Sequence, residues 1–257
     1  MINHPLSNII SQTKLLEELA DQYGTPTYVY SKSRLEHNIS ELLKAISMSF
    51  ANYQIYYAVK ANSNINIIKI LKNKFNDLGC DCSSPGELFA AEKANVSMSD
   101  CVYTGNYESI EDLKTAFNAG AEINLDDLNS FNRLKTIGVP EYVSFRLNPG
   151  KGHGQFKGII TGGKDSKFGI PKEDIVEAYK AAKSFGVKRF GLQCHAGSST
   201  LDADTFSDIT EQILKSARES NIDRIALHPI TDGRDTAPKS GIGFMKHLQS
   251  QIHNDSE

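Results

Sequence analysis

The stretch Gln54–Ala94, QIYYAVKANSNINIIKILKNKFNDLGCDCSSPGELFAAEKA, changes its period repeatedly within a short length. QIYYAVK is a brief aromatic and β-branched run. Asn66–Asn73 then spaces its apolar residues for one face of a helix, DLGCDC is a second short apolar run, and Gly86–Ala94 is helical again. Ser84 as N-cap, Pro85 in the first turn and Glu87 three residues on predict a helix start closed by a capping box. Strand, helix, strand, helix with no hairpin signal between the strands predicts parallel pairing through crossovers.

The alternation continues outward from this stretch. Strand signals recur in CVYTG (101–105), AEINLD (121–126), YVSFRLN (142–148), RFGLQCH (189–195) and RIALHPI (224–230). Helical spacing recurs in Ile110–Ala119, Leu128–Thr136, Lys172–Phe185, Thr205–Glu219 and Gly241–Gln251. Upstream lie a helix over Thr13–Tyr23, the extended TPTYVYS (25–31) and a helix over Lys32–Ala45. Such alternation allows a doubly wound sheet or a (β/α) barrel, and the strand count favours a barrel one strand short of the usual eight. No internal repeat or low-complexity segment interrupts it.

With 257 residues, 39% of them hydrophobic, the chain is long enough for a substantial core. Its formal net charge of −3, with acids and bases interspersed, excludes the basic footprint of a nucleic-acid binder and the polybasic patch of a membrane-surface protein. No apolar run reaches membrane-spanning length, and MINHPLSNIISQ lacks the basic and apolar regions of a secretory signal, so the expected compartment is the cytoplasm. Cys80, Cys82, Cys101 and Cys194 form neither CxxC pairs nor zinc-finger spacing. They read as small buried apolar residues, with no metal site expected.

In a barrel the C-terminal strand ends share one face, which would gather Lys60, Asp81, Asn124, Arg146, His195 and the loop Ala196–Ser199. An isolated strand-end lysine commonly extends its charge into water along its apolar stem. A lysine at a pocket mouth, beside an acid, a guanidinium and an imidazole, is instead a nucleophilic amine able to add to a carbonyl. HAGSST (195–200) offers amides and hydroxyls to a phosphate. The long glycine-rich connection Asn148–Lys172, NPGKGHGQFKGIITGGKDSKFGIPK, is expected to be an ordered functional loop on the same rim.

YAVKAN (57–62), DCSSPGEL (81–88), FRLNPGKGHG (145–154), TGGKDSKFGI (161–170) and CHAGSS (194–199) resemble, in order and spacing, the motif series of the pyridoxal-phosphate-dependent decarboxylases with an alanine-racemase-like barrel, most closely the diaminopimelate decarboxylase group. The resemblance implies pyridoxal 5'-phosphate as cofactor, held by Lys60. It makes Asp81 and Glu87 an acidic pair near the lysine, and Arg146 the organiser of that acid network. His195 becomes the ring that stacks on the cofactor, and Ser198 a phosphate contact. It further implies a small amino-acid substrate, a homodimeric assembly and release of carbon dioxide from meso-diaminopimelate to give lysine.

Beyond Glu219 the likeness stops. The glycine-rich phosphate turn, the acidic and arginine-bearing motif and the C-terminal β domain of that family have no match. IALHPITDGRDTAPKSGIGFMKHLQSQI (225–252) instead resembles the substrate-binding segment of cofactor-independent phosphoglycerate mutases, which would make Arg234 and Asp235 phosphoglycerate contacts. Its plainer reading is a strand, polar loop and helix that complete a fold. The expected architecture is therefore α/β, an incomplete (β/α)8 TIM-like barrel lacking the C-terminal β domain. It would have an N-terminal helix and extended segment over 1–30, a cofactor-binding barrel fragment over 31–220 and a tail over 221–257. Four functions stay open on the residues: a decarboxylase impaired by truncation, a cofactor-binding fragment without catalysis, a related basic amino-acid decarboxylase, and a phosphoglycerate binder.

Overall fold

The computed structural model describes residues 12–48, 50–150, 153–154, 163, 166–195, 197–198, 203–220, 222 and 224–227. Two helices, α1 (Thr13–Tyr23) and α2 (Lys32–Ser47), precede strand β1 (Tyr56–Ala58). Then follow α3 (Ile65–Lys74), β2 (Gly79–Cys82), α4 (Pro85–Lys93), β3 (Cys101–Thr104), α5 (Ile110–Ala119), β4 (Glu122–Leu125), α6 (Leu128–Lys135) and β5 (Tyr142–Asn148). Beyond them lie β6 (His153–Gly154), β7 (Ile170–Pro171), α7 (Ile175–Phe185), β8 (Arg189–Cys194), β9 (Gly197–Ser198), α8 (Ala203–Ser220) and β10 (Arg224–Leu227).

The main strands pair in parallel in the order β1-β2-β3-β4-β5-β8-β10, which is their order along the chain. A sheet wound in one direction only is that of a barrel, not of a doubly wound fold. The sheet curls accordingly: the Tyr56 hydroxyl on β1 donates across to the Glu122 carboxylate on β4 at 3.5 Å. The chain thus forms a partial TIM barrel, with β10 in the seventh place, parallel to β8.

Side-chain parity assigns the two faces of this sheet. Phe145 on β5 meets Phe131 of α6 and Tyr179 of α7 edge-to-face, at centroid distances of 5.8 and 5.1 Å. Residues sharing its parity, including Cys80, Cys82, Cys101, Ile123, Val143, Leu147 and Leu192, are fully or nearly fully buried and form the apolar layer beneath the helices. The opposite parity faces the barrel interior and carries the buried polar side chains Asp81, Thr104, Asn124, Ser144, Arg146 and Gln193.

Local sequence explains most element ends. Ser109 accepts from the Asp112 amide while Asp112 reaches back to the Ser109 amide, a reciprocal capping box for α5, and Gly120 closes that helix at φ +80°. The start of α4 departs from expectation. Ser84 accepts from the Glu87 amide at 3.3 Å, but the Glu87 carboxylate bonds the Ser83 amide at 2.8 Å and not that of Ser84. Helix α7 begins at Ile175 and not at Lys172, because Ile170–Pro171 is drawn into the sheet beside Leu147 and Asn148. The expected helix Gly241–Gln251 lies outside the described residues. Among the described residues no helix is long and apolar enough to cross a membrane.

Candidate active site

Strand β1 ends at Ala58, and Lys60 sits in the 3-10 turn Val59–Ala61, exposed at the C-terminal rim of the sheet. Tyr57 fixes this turn by donating from its hydroxyl to the Asn62 carbonyl at 3.0 Å, and Asn62 in turn donates to the Tyr30 hydroxyl at 2.9 Å. Lys60 forms no ion pair with another described residue, so its amine remains available. Asp81 pairs in register with Ala58, the last residue of β1 and two positions before Lys60, and is buried.

The densest charge in the site is on β5. Arg146 and Asp126, 5% and 2% exposed, form an ion pair at 3.3 Å inside the barrel mouth. Nη2 of Arg146 donates to the His195 backbone carbonyl at 3.2 Å, and its guanidinium lies over the Phe168 ring, 4.8 Å from the centroid. Burial pushes the Asp126 carboxyl above its ordinary range, against the pull of Arg146 and the Gly169 amide. Burial likewise lowers the Arg146 guanidinium, against the charge of Asp126. Desolvation therefore outweighs the pairing in both partners, and the pair depends on its remaining neighbours to keep its geometry.

Arg146 is in register with Gln193, and His195, the first residue past β8, follows two positions on at the same rim. Asn124 is not on the rim. It pairs in register with Thr104 and Ser144, one layer below Arg146, and is 1% exposed; the rim acid of β4 is Asp126, the first residue past the strand. Glu87 supports the loop after β2 through its bond to Ser83.

The two loops singled out by the sequence meet. Gly197 and Ser198 of β9 pair in parallel with His153 and Gly154 of β6, so the loop after β8 is laddered to the glycine-rich loop after β5. Asn148 closes the base of that glycine-rich loop. Its Oδ1 accepts from the Gly150 and Gly163 amides, each at 3.0 Å, and its Nδ2 donates to the Gly163 carbonyl at 2.9 Å. The Ser198 side chain, Arg234 and Asp235 lie outside the described residues. Among the described residues no group of three or more His, Cys, Asp or Glu side chains is arranged to hold a metal ion.

An exposed amine, a buried acid, a buried guanidinium and an imidazole at the strand ends form a donor set suited to an anionic aldehyde cofactor. Sequence reasoning overlooked Asp126, although the AEINLD run put an acid at the strand end. It also missed Asn148 as a loop anchor and Phe168, whose partner becomes visible only in the fold.

The family model described as "Pyridoxal-dependent decarboxylase, pyridoxal binding domain" matches residues 36–227. The model of the N-terminus of BPG-independent phosphoglycerate mutases matches residues 201–257. Diaminopimelate decarboxylase of Methanothermobacter thermautotrophicus is 37% identical over 199 residues, 77% of this chain and 46% of that protein. The enzyme of the same name from Thermoplasma acidophilum is 32% identical over 211 residues, 80% of this chain and 51% of that protein. The crystal structure of Helicobacter pylori diaminopimelate decarboxylase complexed with L-lysine superposes with a TM-score of 0.79 at 25% identity, covering 91% of this chain and 63% of that one. The chain thus spans about half the length of the curated relatives it matches.

Proposed function

Because the chain belongs to the pyridoxal-dependent decarboxylases, through the family's pyridoxal-binding domain, we propose that it binds pyridoxal 5'-phosphate at the strand-end rim and serves amino-acid decarboxylation, with meso-diaminopimelate as substrate. When bound, the cofactor supplies the electron sink for the pair left behind by departing carbon dioxide. Lys60 holds it through Nζ. Asp81, buried and in register with the last residue of β1, would supply a carboxyl beside the cofactor. Arg146, clamped by Asp126, fixes the His195 backbone and so would position the imidazole for the cofactor. Ser198 would be the phosphate contact, and Glu87 keeps the neighbouring loop after β2 in place through Ser83. A second copy of the chain is the proposed partner.

The observation that carries this reading is Lys60 on the same rim as the buried Arg146–Asp126 pair and His195. Borohydride reduction after incubation with the cofactor, followed by peptide mapping, is expected to place the pyridoxyl group on Lys60. Labelling of another lysine, or none at excess cofactor, refutes it. Carbon dioxide release from meso-diaminopimelate then separates a decarboxylase from a non-catalytic cofactor binder, which gives absorbance without gas. The match of residues 201–257 supports a second reading, in which Arg234 and Asp235 contact a phosphoglycerate. Calorimetric titration with 3-phosphoglycerate, losing its heat in Arg234→Ala, tests that reading.

A further inference from the structure

Between the glycine-rich loop and α7 the chain crosses the mouth of the barrel, and its contacts there converge on one cation. Phe168 lays its ring against the Arg146 guanidinium at 4.8 Å, on a group whose other partners are Asp126 and the His195 carbonyl. The amide of the next residue, Gly169, acts on the Asp126 carboxyl, holding it down against burial. Gly169 sits at φ +81°, and a Cβ there would stand 2.8 Å from the Asn148 amide nitrogen and 3.0 Å from the Leu147 carbonyl carbon. Only glycine lets the chain lie this close to the end of β5. Ile170 then joins the sheet opposite Leu147, and Lys167 is tied outward, its carbonyl accepting from the Tyr107 hydroxyl at 3.2 Å.

We propose that Lys167–Ile170 is a strap that seats the Arg146 guanidinium, with Phe168 and Gly169 as positioning residues of the strand-end pocket. A buried guanidinium has two needs: hydrogen-bond acceptors in its plane and something other than water on its face. Asp126 and the His195 carbonyl meet the first. The negative face of the Phe168 ring meets the second, and the attraction strengthens as water is excluded. Through Arg146 the strap holds the His195 backbone, and so the ring above it.

The test replaces Phe168 by 4-fluoro-, 3,5-difluoro- and 3,4,5-trifluorophenylalanine, which keep its shape while draining charge from its face. Two quantities are read: the unfolding equilibrium of the cofactor-free chain and the dissociation constant for pyridoxal phosphate from absorbance titration. The unfolding constant is expected to rise steadily along the series, about three- to tenfold by the trifluoro ring, with Phe168→Leu at least as affected and Phe168→Tyr close to wild type. The slope is expected to survive in Lys167→Met, whose cation lies 5.0 Å from the same ring. A flat series, or a slope that disappears with Lys167, overturns the proposal. The cofactor arm rests on the function proposed above and is expected to weaken in parallel. A chain that binds no cofactor yet keeps the unfolding slope refutes that function and leaves the strap standing.

Discussion

Glu108, in the loop between β3 and α5, is a carboxylate 6% exposed, and burial pushes its pKa up against smaller pulls from its own amide, Ser130 and Arg133. The folded state therefore holds this proton more tightly than the unfolded chain. Stability conferred by the protonated form is complete below the unfolded value near 4.5 and is lost as pH rises through the raised folded value. Glu108→Gln is expected to remove that slope. It should be more stable than wild type at pH 7, by about 1.4 kcal/mol for each unit of elevation, and equal to it near pH 4. Urea midpoints across this range check it, and parallel curves for the two proteins contradict it. The sequence marks Glu108 as nothing more than a loop acid, since its burial comes from helices packed over it.

At the scale of an element, α5 rests on local signals the chain spells out. Ser109→Ala removes the acceptor for the Asp112 amide, leaving only the residue-109 amide bonded to the Asp112 carboxylate, and is expected to cost about 1 kcal/mol. Asp112→Ala in the same background should add little, because the two bonds form one motif; denaturation of the three variants reads this non-additivity. The extents of α1 and α5 match their sequence signals because these are local: the apolar period and the closing glycine in both, and the capping box in α5. Helix α7 starts late because the chain before it is recruited by β5, a partner distant in sequence.

At the scale of the molecule, neighbouring strands meet inside the barrel with little slack. A Cβ on Gly191 of β8 would lie 1.8 Å from the Tyr142 hydroxyl oxygen of β5 and 2.7 Å from its ring carbon Cζ. Gly191→Ala is expected to destabilise the fold by about 1 to 3 kcal/mol, the usual range for overpacking, and Tyr142→Phe in that background to recover part of the loss. Calorimetric melting of both variants decides it. A silent Gly191→Ala would mean that β5 and β8 pack more loosely than the geometry indicates.

The sequence by itself determined the succession of strands and helices, the parallel sheet, and the motif positions of Lys60, Asp81, Arg146 and His195, because period, caps and short motifs are local properties. Only the tertiary structure decided which of these meet. It set Asn124 below the rim and put Asp126 there instead, since register relative to β5 and not strand length fixes depth in the barrel. It joined Gly197–Ser198 to His153–Gly154, and it brought Phe168 over Arg146. These pairings follow from curling a sheet on itself, which brings together residues on different strands and loops through desolvation and backbone hydrogen bonding, neither of which leaves a mark at the separate positions along the chain.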